Sequence, residues 1–172
     1  MEQLTDRIIR AARLDDSLYE EVEADTSAMG QAVLVVILSS IAAGIGSISE
    51  GGLGGIVIGT IISLLAWYIW AYLTFYIGTR WLPEAQTDSN PGELLRTIGF
   101  SSSPGLIRVI GVIPVLTEPV FLLAAVWMLV AMVVAVRQAL DYSNLWRAVG
   151  VCVVGWIIQG LVVALLFALM RG

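Results

Sequence analysis

Residues 51–63 read GGLGGIVIGTIIS, with five glycines in the first nine positions and an uncharged apolar run directly after them. In water each such glycine costs roughly 1 kcal/mol against alanine in a helix, so a soluble domain would use this stretch as a loop. What the stretch becomes therefore depends on its solvent. Of 172 residues, 58% are hydrophobic and 13% charged, whereas a soluble domain is about 45 to 50% apolar even with glycine counted. The solvent is lipid, and residues 51–63 read as the start of a membrane helix.

Further runs follow from the same reasoning, because a spanning helix needs about 20 apolar residues. They cover Ala28 to Ile48, Leu53 to Ile77, Ile98 to Leu116, Val120 to Val136 and Ala148 to Met170. The third is interrupted by Ser101, Ser102, Ser103, Pro104 and Gly105 and carries Arg108. With five spans the connecting segments alternate in charge as the positive-inside rule requires. Arg7, Arg10, Arg13, Arg80, Arg96, Arg137 and Arg147 fall inside, Arg171 falls outside, and Arg108 lies within a span. The first 27 residues are charged where a leader peptide would have an apolar core. The expected molecule is an all-α integral membrane bundle of five transmembrane helices over residues 28–172. Residues 1–27 form a cytoplasmic amphipathic and acidic segment. The N-terminus is expected in the cytoplasm and the C-terminus outside, across the cell's inner (plasma) membrane.

The glycines now have a use. Gly51, Gly55, Gly59 and Ser63 fall four apart, and Ser40 and Gly44 make a similar pair in the preceding span. Lipid offers helices little hydrophobic reason to associate, and stripes of small residues let backbones approach closely. Gly52 and Gly54 lie off the stripe and suit the short outer turn between the first two spans.

Ahead of the spans, Leu4, Ile8, Ala11, Leu18 and Val22 recur at helical spacing, and Arg7, Arg10 and Arg13 form a second row. This predicts an amphipathic helix in the headgroup layer, with its arginines at lipid phosphates. A second helix is expected to begin near Ser17, whose spacing to Glu20 is that of a capping box. Its acidic face, Glu20, Glu21, Glu23 and Asp25, is either a solvated surface or a docking surface. No histidine is present, and Cys152 is the single cysteine. No nucleophile with a base and no metal-ligand set assembles, so neither catalysis nor a cofactor is expected. The polar groups expected at membrane depth are Arg108 and Gln159, which are expensive there. Arg108 reads as the mark of a broken or tilted third span, and Gln159 as an interhelical hydrogen bond.

The acidic LYEEVEAD segment before the first span, IGFSSSPGLI opening the third, and AVRQALDYSNLWRAVGV joining the fourth to the fifth resemble the Yip1 family in order and spacing. The resemblance runs from about Leu14 onward and implies a five-helix membrane domain with a cytoplasmic N-terminus. Eukaryotic members are associated with Rab GTPases and with vesicle formation between endoplasmic reticulum and Golgi. This chain has a much shorter N-terminal region and keeps only Leu18 and Tyr19 of their D-L-Y-G-P signature, and so resembles the short prokaryotic members.

Three functions follow as expectations. The first is a non-enzymatic membrane scaffold acting through lipid contacts and through helix contacts with other membrane proteins or a homo-oligomeric copy. The second is an accessory subunit of a larger membrane complex. The third is a small transporter lined by Arg108 and Gln159. No nucleic-acid partner is expected for any of them.

Overall fold

The computed structural model describes residues 2–171, leaving aside the side chains of Glu50 and of residues 163–171. Gly172 and the Arg171 side chain, expected in an outer tail, lie outside the described residues. Seven α-helices follow in order: α1 Glu2–Ala12, α2 Asp16–Ala24, α3 Met29–Gly46, α4 Ile48–Tyr76, α5 Pro91–Phe100, α6 Thr117–Ala139 and α7 Leu145–Arg171. No strand occurs among the described residues. Four helical segments are long and apolar enough to cross a membrane: Thr26–Gly46, Gly51–Trp81, Pro114–Ala139 and Leu145–Val162.

The expected third span does not form as one regular helix, and it is not among the four long apolar helices of the described residues. α5 stops at Phe100, and the chain continues as 3-10 helix over Ser103–Val112 and Pro114–Leu116. Pro104 has no backbone N–H. The Ser101 and Ser103 hydroxyls turn back to donate to the carbonyls of Ile98 and Phe100, each at 2.7 Å, and so compete with a regular α ladder.

The broken segment nevertheless stays against α3 along its length. A Cβ on Gly99 would come within 2.8 Å of Ala32 Cβ, one on Gly105 would strike the Ser39 hydroxyl, and one on Gly111 would lie 3.2 Å from the Gly46 carbonyl oxygen. Residues 99–111 thus run parallel to α3 from Ala32 to Gly46, roughly 21 Å of helix rise. α6 returns in the opposite sense. Phe121 lies beside Gly111, and Met128 beside Gly105. Ala135 joins the cluster of Ala32 and Phe100.

At the C-terminal end of α3 the chain reverses through Ser47, and the helical path of α4 breaks at Gly52 (φ 58°, ψ −167°), as its turn role requires. This break cuts Gly51 off from the small-residue row of Gly55, Gly59 and Ser63. A Cβ added at Gly51, Gly55 or Gly59 would meet nothing within 4 Å. Among the described residues, then, nothing packs against these glycines. Gly44 does pack two helices together, since a Cβ there would fall 2.7 Å from Ile56 Cγ1 of α4. Ser40 is buried and donates to the Val36 carbonyl of its own helix at 2.8 Å, and Ser63 is half-buried.

The N-terminal segment forms two helices, α1 and α2, the second beginning at Asp16. Leu14 sits in the left-handed region (φ 62°), which costs about 1 to 2 kcal/mol in a residue with a Cβ. Asp15, rather than Ser17, caps α2 by accepting from Ser17 N at 3.0 Å. The resulting hairpin brings the acidic row onto the basic one, and this overturns the lipid-facing placement of Arg7 and Arg10. Arg7 is 3% exposed and donates to Glu21 Oε1 (2.9 Å), Asp25 Oδ2 (2.8 Å) and Gln31 Oε1 (3.0 Å). Arg10 donates to Asp15 Oδ2 (2.8 Å) and Glu21 Oε2 (2.6 Å). Arg13 is exposed. Beneath these pairs Ala11, Leu18, Tyr19 and Val22 are fully buried against Ala28, Ala32, Val35, Phe100 and Ala135.

The hairpin is also tied down from α5. Arg96, 5% exposed, donates from Nε to the Val22 carbonyl at 2.8 Å and from Nη2 to that of Glu23, closing the last turn of α2. Arg96→Met leaves both carbonyls without this donor and is expected to cost about 2 kcal/mol, read as a lowered Tm in detergent.

A pH dependence follows from the same end of the molecule. Desolvation, with help from Asp141 and Glu93 and against the pull of Arg96, pushes the Glu23 carboxyl up from 4.5 to about 7. The folded state then binds that proton more tightly than the unfolded one. Its contribution is fully present below 4.5 and lost as the pH rises through about 7. Asp15 and Asp25, held at about 2 by hydrogen bonds from Ser17 and Ser27 and by Arg10 and Arg7, act oppositely. Their stabilisation is complete above 3.8 and fades as the pH falls toward 2. The Tm is expected to peak between about pH 4 and 5, and Glu23→Gln is expected to flatten the alkaline decline.

Candidate functional site

Because the third segment is not a regular helix, its side chains leave a space between α4, α6 and α7. That space is a cavity of about 410 Å³ lined by Trp67 and Trp70 of α4, Ser101 and Ser102 at the break, Arg108, Met128 and Met132 of α6, and Trp156 and Gln159 of α7. Arg108 and Gln159, far apart in sequence, thus meet in one cavity.

Arg108 reaches back from its 3-10 turn to the middle of α3. Nη2 donates to the Ser39 hydroxyl at 2.8 Å and to the Ser39 carbonyl at 3.0 Å, and Nε donates to the Gly105 carbonyl at 3.0 Å. The guanidinium carbon lies 6.0 Å from the Phe121 ring centroid, within cation–π range. Among the described residues no carboxylate pairs with it, and none lines the cavity. Nη1 has no protein acceptor among them either. A second donor is also unused, for the buried indole N–H of Trp70 has no hydrogen-bond partner.

Other tryptophans are satisfied. Trp67 Nε1 donates to the Leu95 carbonyl at 3.1 Å, which ties α4 to α5, and Trp127 Nε1 donates to Ala12 O at 2.8 Å, which ties α6 to α1. Trp70 is held by shape, since a Cβ on Gly155 would lie 2.9 Å from its ring. Trp81 and Trp146 are exposed at the end of the bundle that carries the N-terminus. Gln159 is exposed on the cavity wall rather than bonded across helices.

The cavity adjoins a second one of about 440 Å³ between α4 and α7, with which it shares Ala66, Trp70 and Gln159. The second is walled by Ile62, Leu65, Ile69, Leu73, Ile158 and Val162. Chemically the pair offers unbalanced positive charge and free N–H donors at one end and an apolar channel at the other. It is equipped to hold an anion or an amphiphile. Among the described residues no group of His, Cys, Asp or Glu is placed to hold a metal ion. Cys152 is a free thiol buried beside Val151 and Ala148.

The sequence signal for this site was partial. Arg108 and Gln159 stand out as polar residues in apolar runs. Ser39, Gly105 and Gly155 do not, because a serine or glycine in a membrane helix is unremarkable until its neighbour is known.

No curated protein and no solved structure matches the chain. A family model does, described as the Yip1 domain, over residues 16–167. That match begins at the first residue of α2, runs through all four apolar helices and takes in the broken segment bearing Arg108. The chain belongs to the Yip1 family of membrane proteins.

Proposed function

We propose that this protein is a non-enzymatic scaffold of the inner membrane that works through association of α4 with other membrane proteins or with a second copy of itself. The observation that carries this reading is the exposure of α4. Only 6% of its most apolar stretch is buried in the molecule, against 33%, 22% and 22% for the other three. Among the described residues nothing lies within 4 Å of a Cβ placed on Gly55 or Gly59 of that helix. A glycine facing lipid gives up helix stability for nothing, whereas one facing a second helix permits close packing.

In this reading the N-terminal hairpin is cytoplasmic and the broken segment is a fifth crossing. Two observations support it. Arg7, Arg10, Arg96, Arg137 and Arg147 gather at one end of the bundle, bonded to α2 or to the connections after α4 and α6. The broken segment also follows α3 from Ala32 to Gly46. A small transporter is the second reading, favoured by the cavity that Arg108 shares with Gln159. The mainly apolar walls suit a polar solute less well than they suit a chain.

Two experiments test the proposal. Cys152 is buried, so Gln86→Cys and Glu118→Cys report sidedness against a low background. Labelling from opposite sides is expected, and labelling from one side refutes the fifth crossing. In cross-linking after mild detergent extraction, Gly55→Leu with Gly59→Leu is expected to reduce the associated fraction several-fold with the Tm held. An unchanged fraction refutes α4 as the interface. Flux of small anions that disappears in Arg108→Leu would favour the transporter.

A further inference from the structure

We propose that the paired cavities form a binding site for a single-chain lipid anion, its carboxylate at Arg108 and its chain in the groove between α4 and α7. The inference is independent of whether α4 associates with anything.

The charge comes first. A guanidinium level with the middle of an apolar helix is costly unless an opposite charge compensates it. Arg108 has three hydrogen bonds, all to neutral oxygens of Ser39 and Gly105. Those bonds fix the orientation of the group without neutralising it. Nη1 keeps two N–H donors unused, and a carboxylate is the acceptor that matches guanidinium geometry. Trp70 also lines this cavity, through a ring held against Gly155. An uncompensated guanidinium at this depth describes a site for an acceptor that the protein itself does not provide.

Shape selects the rest of the ligand. A free inorganic anion would satisfy Arg108 but leave the adjoining 440 Å³ groove unused. That groove adjoins the charged cavity, the two sharing Ala66, Trp70 and Gln159 as a common wall. From Ile62 to Leu73 it follows α4 for roughly 16 Å, the scale of an extended acyl chain. Its walls are aliphatic, and Leu65, Ile69 and Val162 are exposed toward the lipid side, which gives a chain lateral entry. One groove takes one chain, and a head seated beside Ser39 lies too deep for a phospholipid headgroup that must stay at the water interface. Met128 and Met132 line the charged cavity, and their flexible thioethers adapt to a chain that varies in kink and length.

The test uses tryptophan as the reporter. Trp67, Trp70 and Trp156 line the cavity, so full-length protein in neutral detergent is titrated at alkaline pH with a brominated long-chain fatty acid and with its methyl ester. Saturable quenching by the acid is expected, with the ester about tenfold weaker, the scale of one lost charge-assisted hydrogen bond. Arg108→Gln is expected to bring the acid to the level of the ester. That substitution also removes bonds between the third segment and α3, so the comparison of acid with ester on the unaltered chain carries the test by itself. Equal quenching by acid and ester overturns the proposal. Relief of quenching by inorganic phosphate alone overturns it in favour of a free-anion site. Competition by phosphatidylglycerol as strong as that of the unbrominated acid overturns the single-chain assignment.

Discussion

Arg108 donating to Ser39 and Gly105 is the contact on which the arrangement of the membrane part depends. Water is absent around a spanning bundle, so a segment that leaves the α-helical ladder must find partners for its polar groups within the protein. Residues 101–105 leave that ladder, and the chain beyond them returns a charged side chain to the backbone of α3 and to its own turn. The same reach fastens the third segment to α3, where Gly46 and Gly111 already let the two backbones approach closely. Were the segment a regular helix, Arg108 would stand on its surface, and the space behind it would be filled by the next turn. The break, the arginine and the cavity are one feature.

The N-terminal hairpin solves a similar charge problem at the bundle end. The row Arg7, Arg10, Arg13 fits either lipid phosphates or a facing row of carboxylates, and spacing alone gives both readings equal standing. A hairpin decides between them. Once Leu14 turns the chain, Glu21 and Asp25 arrive within 2.8 Å of Arg7, and the apolar side of both helices is consumed by α3, α5 and α6. A nearly buried guanidinium with two carboxylates has more to lose by opening than an exposed pair would. The hairpin is therefore part of the folded core, not a detachable membrane anchor.

What could be read from the sequence follows the range of the interactions. Four of the five apolar runs became long helices, because composition over some twenty residues suffices to set them. The third run was marked as interrupted by SSSPG, but the 3-10 conformation beyond it depends on α3 and α6 closing on either side. Glycine was legible as a signal for close approach and misleading as to where. Among the described residues the regular four-residue row of Gly55 and Gly59 meets no neighbour, whereas the irregular Gly44, Gly99, Gly105, Gly111 and Gly155 each receive one. A stripe is visible in one helix, but a contact is a property of two. Arg108 and Gln159 were singled out separately, and only the fold of α7 against α4 brings them to one cavity.

The exposure of α4 and the cavity behind it share a cause. α4 touches α3 near its start, through Ile56 on Gly44, and α5 through Trp67 on the Leu95 carbonyl. It meets α7 where the Trp70 ring lies on Gly155. Between these points no described residue fills the space from Ile62 to Leu73 on the α7 side, and the groove there is what incomplete contact leaves. Lipid does not press helices together as water does, so such a gap survives only if it is filled or if its walls are held apart by rigid contacts elsewhere. Trp70 is the common wall of both spaces. Gly55 and Gly59 continue the face of α4 that carries Ile62, Ala66, Ile69 and Leu73, at seven-residue steps, so the glycine row and the groove are successive parts of one face.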